Sequence, residues 1–174
     1  MAYNVLEVAQ HVINQSIEIE KPVTNLKLQK LLYYIQASFL TTYGEPCFNE
    51  EIENWRHGPV VPVVYSEYKG YTNKPINERQ SECIEMFINS NGNFAAKKVE
   101  YNKVNFEDMH LKLINKVINI YKNSDPWDMV DRTHEELPWK NTKQNEIITR
   151  ESIMEYFKHN TNRIYGGKCE TVTR

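Results

Sequence analysis

The stretch "TNLKLQKLLYYIQASFLTTYG", residues 24–44, carries the strongest helix pattern in the chain and predicts the centre of its fold. Thr24 is a suitable N-cap, because its hydroxyl can accept a hydrogen bond from a free backbone N–H in the first turn. Gly44 is a suitable end, because glycine commonly terminates helices. A continuous apolar stripe lies between them: Leu28, Leu31, Leu32, Ile35 and Phe39. We therefore expect this helix to be central to the core.

Helical periodicity also precedes this stretch, over residues 3–15. Apolar residues recur there at i, i+3, i+4 and i+7, namely at Val5, Val8, Ala9 and Val12. Pro22 then breaks the pattern. The sequence thus predicts a first helix with one apolar face.

Two helices are predicted in the second half of the chain before residue 135. A long helix is expected over residues 105–122, with these apolar positions: Phe106, Met109, Leu113, Val117 and Ile120. Asp125 should cap a short helix with Pro126 at its first position. Trp127 and Val130 are three residues apart in this short helix, and we expect both to face inward.

A last helix is expected to begin after Thr149. Ile148 and Ile153 flank this cap at the spacing of a hydrophobic staple. The sequence from residue 159 onward is polar and interrupted by glycine. We therefore predict a domain over residues 1–158 and a flexible polar tail over residues 159–174.

The stretch "NWRHGPVVPVVYSEY", residues 54–68, predicts a loop that turns into a helix. The helical repeat follows the Gly-Pro step: Val61, Val64, Tyr65 and Tyr68. Pro59 would lie near the first helical position, where its missing N–H costs nothing. A short extended piece that contains Ile52 is expected before this corner.

The least regular part of the chain lies between residues 70 and 105. We expect a short helix within residues 76–93 and a strand within residues 93–101, after a turn at Asn91-Gly92. The predicted fold class is therefore mainly α, in the α+β sense: a single compact helical domain with a small β element.

The composition fits a single domain and argues against binding to nucleic acid and against insertion into a membrane. The 174 residues, 40% of them hydrophobic, supply one sizeable core. A net charge of −2 argues against a protein held to nucleic acid by a basic surface. No stretch approaches the roughly 20 apolar residues that span a bilayer, and the N-terminus lacks a secretory segment, so we expect a cytoplasmic protein.

The reactive side chains predict no metal site and no cofactor. The three cysteines, Cys47, Cys83 and Cys169, are too widely spaced for a zinc pair or a disulfide framework. The sequence "HEEL" after Thr133 lacks a second histidine one helical turn on, so the metalloprotease pattern is absent. No glycine-rich loop follows a predicted strand, as a nucleotide site would need.

The best catalytic candidate is His57, since histidine exchanges protons near neutral pH and the adjacent Arg56 could hold an anion. No partner nucleophile or carboxylate is implied by spacing, so we favour a structural role for His57. An enzyme that acts on a nucleotide or peptide is the alternative. A DNA-binding repressor of its own operon is a third hypothesis, which the charge balance disfavours.

Tyrosines near the central helix and the Gly-Pro corner suggest a partner-binding surface. Tyr33 and Tyr34 are adjacent, so one of them must lie off the apolar stripe. Tyrosine combines a large rigid contact area with a polar tip and is enriched at interaction hot spots. Together with Lys27 and Lys30 these tyrosines favour contact with another macromolecule, and packing in the core is the alternative reading.

These motifs occur in an order that resembles a known family. A Lys-Leu-Gln-Lys-Leu helix with tyrosine leads to an acidic loop, then to Trp, Gly-Pro-Val and a Val-Tyr helix. The matching residues are Lys27, Leu28, Gln29, Lys30, Leu31, Tyr33, Glu51, Trp55, Gly58, Pro59, Val60, Val64 and Tyr65. A second block, "THEELPWK", follows with His134, Pro138 and Trp139. Over residues 2–157 the chain resembles the Panacea domain, also called the SocA-like antitoxin or phage-associated protein family, and departs from it at Val63, where relatives often have a polar residue.

The resemblance implies a mostly helical antitoxin without enzymatic activity. Members of the family neutralise toxins encoded beside them, usually by direct binding, and many occur on prophages and mobile elements. One branch delivers its toxin to a protease, so the implied partners are a cognate toxin and a protease such as a Clp-type complex. The partner-binding residues that we predict are Lys27, Lys30, Tyr33, Tyr34, Trp55, Arg56, His57, Gly58, Pro59, Val60 and Tyr65.

Overall fold

Helices make up most of the secondary structure in the computed structural model, which describes residues 2–166. The helices are α1 (Val5–Glu18), α2 (Asn25–Tyr43), α3 (Pro62–Tyr68), α4 (Asp108–Tyr121), α5 (Pro126–His134), α6 (Leu137–Lys140), α7 (Arg150–His159) and α8 (Thr161–Ile164). The strands are β1 (Ile52–Trp55), β2 (Gly58–Val60), β3 (Glu82–Ile88), β4 (Phe94–Glu100) and β5 (Ile147–Ile148). The predicted α+β class, with one domain and small β elements, is confirmed.

Helix α2 lies at the centre of the fold, as its sequence predicts. The Thr24 hydroxyl accepts a hydrogen bond from the Lys27 backbone N–H, and Gly44 ends the helix with φ +71°. Helices α1, α4, α5 and α7 all pack against α2. Because neighbours surround it, nearly every residue from Asn25 to Leu40 is buried, including polar ones.

The predicted helices of the second half exist, but two predicted inward positions, Met109 and Trp127, are wrong. Met109 of α4 is exposed, and the buried face of that helix consists of Leu111, Ile114, Val117, Ile118 and Tyr121. Asp125 caps α5 as predicted, and Val130 is buried, but Trp127 is 55% exposed. Trp127 lies in the first turn of α5, beside the turn between β1 and β2, where the core does not reach.

The Gly-Pro corner is a β-hairpin followed by a helix. Strands β1 and β2 pair in antiparallel fashion, with Trp55 opposite Gly58, and β5 pairs with the other edge of β1. The prediction that Pro59 lies near the first helical position is therefore wrong, because Pro59 belongs to β2. Pro62 takes the first helical position instead.

A second hairpin, of β3 and β4, replaces the short helix that we predicted within residues 76–93. The predicted strand within residues 93–101 exists as β4, and the turn before it contains Gly92 at φ +80°. Pairing with β4 decides the conformation of β3, and it places Cys83 opposite Val99 on the buried face. A helix over this segment would leave β4 without a partner among the described residues.

Packed structure continues beyond residue 158, the boundary that we predicted for the domain. Helix α8 follows α7 directly, and its residue Ile164 is fully buried. Arg163 forms ion pairs with Glu135 and Glu136. The rest of the predicted tail, residues 167–174, lies outside the described residues, as does Cys169.

A buried lysine joins α2 to the β1–β2 hairpin. The Lys30 ammonium has no solvent exposure and donates a hydrogen bond to the Pro59 carbonyl oxygen over 3.1 Å. Gly58 has φ +100°, and a Cβ at this position would lie 2.7 Å from both Lys30 Cε and Thr133 Oγ1. Only glycine therefore fits where the hairpin crosses α2 and α5.

We expect Gly58→Ala to destabilise the fold by about 2 kcal/mol or more, because it combines backbone strain at positive φ with overpacking. Urea unfolding measures this loss. Gly92→Ala is the matched control for strain alone, since its φ is +80° and no atom lies within 4 Å of the added Cβ. Equal losses in the two variants would contradict the close contact with Lys30.

Burial lowers the pKa of Lys30 to about 7. Between pH 7 and the ordinary lysine pKa of 10.5, the unfolded chain binds more protons at this position than the folded chain does, so stability rises with pH over that window. We expect Lys30→Met to stabilise the protein at pH 6, by an amount on the order of 3 kcal/mol, and to weaken the rise in stability between pH 6 and 9. Denaturant titrations at both pH values test this, with the exposed Lys112→Met as control. A loss of stability at pH 6 would refute it.

Candidate partner-binding site

The hairpin and helix α3 form a groove of about 430 Å³ on one side of the molecule. We call it the corner groove, and its lining residues are Asn25, Leu26, Gln29, Trp55, Arg56, His57, Val60, Tyr65, Lys69 and Thr72. Five of the partner-binding residues predicted from the sequence line it: Trp55, Arg56, His57, Val60 and Tyr65. The fold therefore brings these five residues together: Arg56, His57 and Tyr65 are exposed, Trp55 is half-buried and Val60 is buried.

The tight turn between β1 and β2 presents the polar rim of the groove. Arg56 and His57 occupy this turn and are exposed. The Trp55 indole Nε1–H donates a hydrogen bond to Glu53 Oε2 over 2.8 Å, which fixes the orientation of the ring. Tyr65 meets this ring edge-on, with ring centroids 4.9 Å apart. Two large aromatic surfaces are thus held in place beside a cation.

Trp127 extends the aromatic surface beyond the groove. Its ring contacts the His57 ring edge-on, with centroids 5.0 Å apart. The inward side of α5 is formed by Met129, Val130 and Thr133, so the tryptophan faces solvent. Sequence reasoning missed this residue. The three-residue spacing between Trp127 and Val130 favoured an inward position for the tryptophan. The cap at Asp125 places Trp127 in the first turn of α5, and this turn lies outside the core.

Helix α2 supports the floor of the groove through two amide side chains. Gln29 Nε2 donates to Asn25 Oδ1 over 2.9 Å, and Gln29 Oε1 accepts from the Val61 backbone N–H over 2.9 Å. Asn25 Nδ2 donates to the Tyr65 carbonyl oxygen over 3.1 Å. These bonds set the distance between α2 and α3. Their sequence signal was weak, because both residues resemble ordinary polar positions on a helix.

The remaining predicted partner-binding residues lie beneath the surface. Lys30, Tyr33 and Tyr34 have no solvent exposure, and Gly58 and Pro59 are also buried. The prediction that these side chains form an outer surface is therefore wrong, because helices pack around α2 on all sides. Lys27 is nearly buried as well: its Nζ donates to the carbonyl oxygens of Lys122 and Ser124. Helix α2 positions the groove and contributes little of its surface.

The second sequence block, residues 133–140, contributes Glu136 to a buried polar centre. Glu136 has no solvent exposure, and its Oε1 accepts hydrogen bonds from the Tyr34 hydroxyl and from Arg163 Nε. Burial raises the pKa of Glu136 to about 7. The His134 ring stacks on the Trp139 ring at a centroid distance of 4.0 Å. These contacts tie α5, α6 and α8 to α2, so the role of the block is structural.

The groove offers apolar, aromatic and basic side chains for contact with a partner. No hydrogen bond or ion pair joins His57 to a carboxylate or nucleophile within residues 2–166. In the same residues no three His, Cys, Asp or Glu side chains cluster as metal ligands. None of the described helices is long and apolar enough to cross a bilayer.

A second exposed apolar surface lies on the outer face of the β3–β4 hairpin. Ile84, Met86, Ile88 and Phe94 share this face, and Phe94 is 83% exposed. The charged side chains at its base are paired, because Lys98 contacts both Glu82 and Glu100, and the two carboxylates outnumber the single ammonium. This face combines apolar area with a lysine that is already paired, whereas the corner groove has no acidic lining residue.

Comparisons with known proteins agree with the motifs that surround the groove. Antitoxin SocA of Caulobacter vibrioides (strain NA1000 / CB15N) is 43% identical over 58 residues, which are 33% of this chain and 31% of that protein. The chain therefore matches less than a third of the length of this curated relative. No solved structure matches the chain. The sequence pattern of the family described as "Antitoxin SocA-like, Panacea domain" matches residues 28–140, more than half of the chain. The chain thus belongs to the SocA-like antitoxin, or Panacea domain, family.

Proposed function

We propose that this protein is an antitoxin that neutralises a toxin protein by binding it directly through the corner groove. Membership of the antitoxin family supports the general role. The observation that carries the binding site is the group of aromatic rings beside Arg56, in which Tyr65 and Trp127 are exposed and Trp55 is half-buried. Tryptophan, tyrosine and arginine are the residue types that most often dominate binding energy at protein interfaces.

The position of these rings favours binding over packing. Tyr65 is 39% exposed and Trp127 is 55% exposed, although each is held by a second ring. A ring that is already fixed loses little conformational entropy on binding, so more of the contact energy appears as affinity. The enzyme alternative has less support, since His57 has an aromatic neighbour and no paired carboxylate among the described residues.

The proposal includes the setting of the protein. We expect it to act in the cytoplasm, with its toxin encoded in the neighbouring gene on a prophage or another mobile element. Co-expression tests the function: the product of the neighbouring reading frame should arrest growth alone and be harmless together with this chain. If no neighbouring product is both toxic and rescued, the antitoxin function is refuted.

We expect Trp127→Ala and Tyr65→Ala each to weaken toxin binding by about 2 kcal/mol, or roughly thirtyfold in Kd, because both remove exposed aromatic contact area. Titration calorimetry with the purified toxin measures the loss. Met154→Ala is a matched control, since Met154 is also an exposed apolar residue on a helix, far along the chain from the groove. If Met86→Ser on the second hairpin abolished binding while both groove variants bound normally, the docking surface would be β3–β4.

We expect His57→Gln to keep both stability and toxin neutralisation. The glutamine carboxamide is planar, like the imidazole ring, and can still contact Trp127. Unlike imidazole, it cannot exchange protons near neutral pH. Thermal unfolding and the co-expression assay measure the two properties. A folded His57→Gln variant that fails to neutralise the toxin would favour the enzyme alternative.

A further inference from the structure

The corner groove is lined by positive charge, whereas the whole chain has a small net negative charge. The chain carries a net charge of −2, yet the charged residues that line the groove, Arg56 and Lys69, are both basic. None of the described lining residues is acidic. Glu53 and Glu67 each lie two residues from a lining residue, but neither lines the groove, and Glu53 accepts a hydrogen bond from the Trp55 indole. A ligand with a negative charge would therefore be attracted to this side of the molecule.

Further basic groups lie behind the groove. Lys30 Nζ would lie 3.0 Å from a Cβ at Gly58, and so directly beneath the hairpin. Burial and then the positive charge of Lys30 lower the pKa of His134, and His57 contributes in the same direction. Asp131 is the acidic group that acts on His134 in the opposite direction. Burial lowers the pKa of both Lys30 and His134, so they add little positive charge at neutral pH, and Arg56 and Lys69 are the main cations of the groove.

The walls of the groove are apolar where the rim is basic. Leu26 and Val60 line it together with the rings of Trp55 and Tyr65. A volume of about 430 Å³ corresponds to a small-molecule pocket and accepts a few side chains. A flat face of a folded domain does not enter such a groove, whereas a short segment does.

We propose that the corner groove binds a short segment of the toxin in which an apolar side chain stands next to a carboxylate. The apolar side chain packs against the shared surface of Trp55 and Tyr65, whose rings contact each other, and the carboxylate accepts charge-assisted hydrogen bonds from Arg56 and Lys69. This inference rests on the proposed antitoxin function and names the chemistry of its ligand.

Two blocked peptides test the inference without the toxin: acetyl-Leu-Phe-Asp-amide and its neutral counterpart acetyl-Leu-Phe-Asn-amide. The readout is the NMR shift of the Trp55 indole N–H in the labelled full chain. We expect the acidic peptide to bind about tenfold more tightly than the neutral one, because its carboxylate gains charge-assisted hydrogen bonds. The double variant Arg56→Gln/Lys69→Gln should remove this difference.

The control is Lys112→Gln/Lys158→Gln, which removes two positive charges at exposed positions outside the groove. It should keep the preference for the acidic peptide. Failure of both peptides to shift the Trp55 signal, or equal affinity of the two peptides, overturns the inference. Equal displacement of the acidic peptide by adenosine monophosphate or inorganic phosphate also overturns it, since the groove would then be a general anion site.

Failure of this inference and failure of the proposed function can be told apart in cells. If Arg56→Gln/Lys69→Gln still rescues growth as well as the unchanged chain, the antitoxin function stands and the acidic segment is wrong. If the unchanged chain gives no rescue, the proposed function itself fails. If Arg56→Gln/Lys69→Gln loses the rescue and Lys112→Gln/Lys158→Gln keeps it, the result supports both the antitoxin function and the acidic segment.

Discussion

The contact between Lys30 and the Gly58–Pro59 backbone is the constraint on which the corner depends. The fully buried Lys30 ammonium lies where α2 crosses the hairpin, and it donates a hydrogen bond to the Pro59 carbonyl oxygen. An ion buried in this way is costly, and its depressed pKa is the sign of that cost. The same contact requires glycine at residue 58 and thereby fixes where β2 lies. Trp55, Arg56 and His57 are presented from a strand and turn positioned by this crossing.

Polar bonds from one helix set the remaining geometry of the groove. Gln29 and Asn25 connect α2 to the Val61 N–H and the Tyr65 carbonyl oxygen, so α3 cannot shift without breaking bonds in a buried setting. On another side of the same helix, Tyr34 bonds the buried Glu136 and stacks on Tyr121. Helix α2 thus holds α3 and the buried Glu136 in place, while its own residues contribute little to the protein surface. The antitoxin role that we propose uses this division between a rigid support and exposed rings.

The tyrosines show that residue type can suggest a binding role but does not predict which side chains reach the surface. Tyr33 and Tyr65 belong to the family motif, and both were predicted, together with the adjacent Tyr34, to contact a partner. Tyr33 and Tyr34 fill the core, and only Tyr65 lies on the groove. Residue type alone cannot separate these roles, because tyrosine has both a large apolar body and a polar tip. Burial by neighbouring helices decides, and those neighbours lie far away in sequence.

The sequence by itself determined the elements whose signals are local. The caps at Thr24, Asp125 and Thr149 and the end at Gly44 were readable, since each depends on a hydrogen bond or φ angle within one helical turn. The family motifs also located the Gly-Pro corner. The tertiary structure alone decided that this corner is a hairpin, that residues 82–88 are a strand, and that Trp127 faces solvent. Burial depends on neighbours distant in the chain, and each hairpin depends on contacts across a turn that helical periodicity does not report.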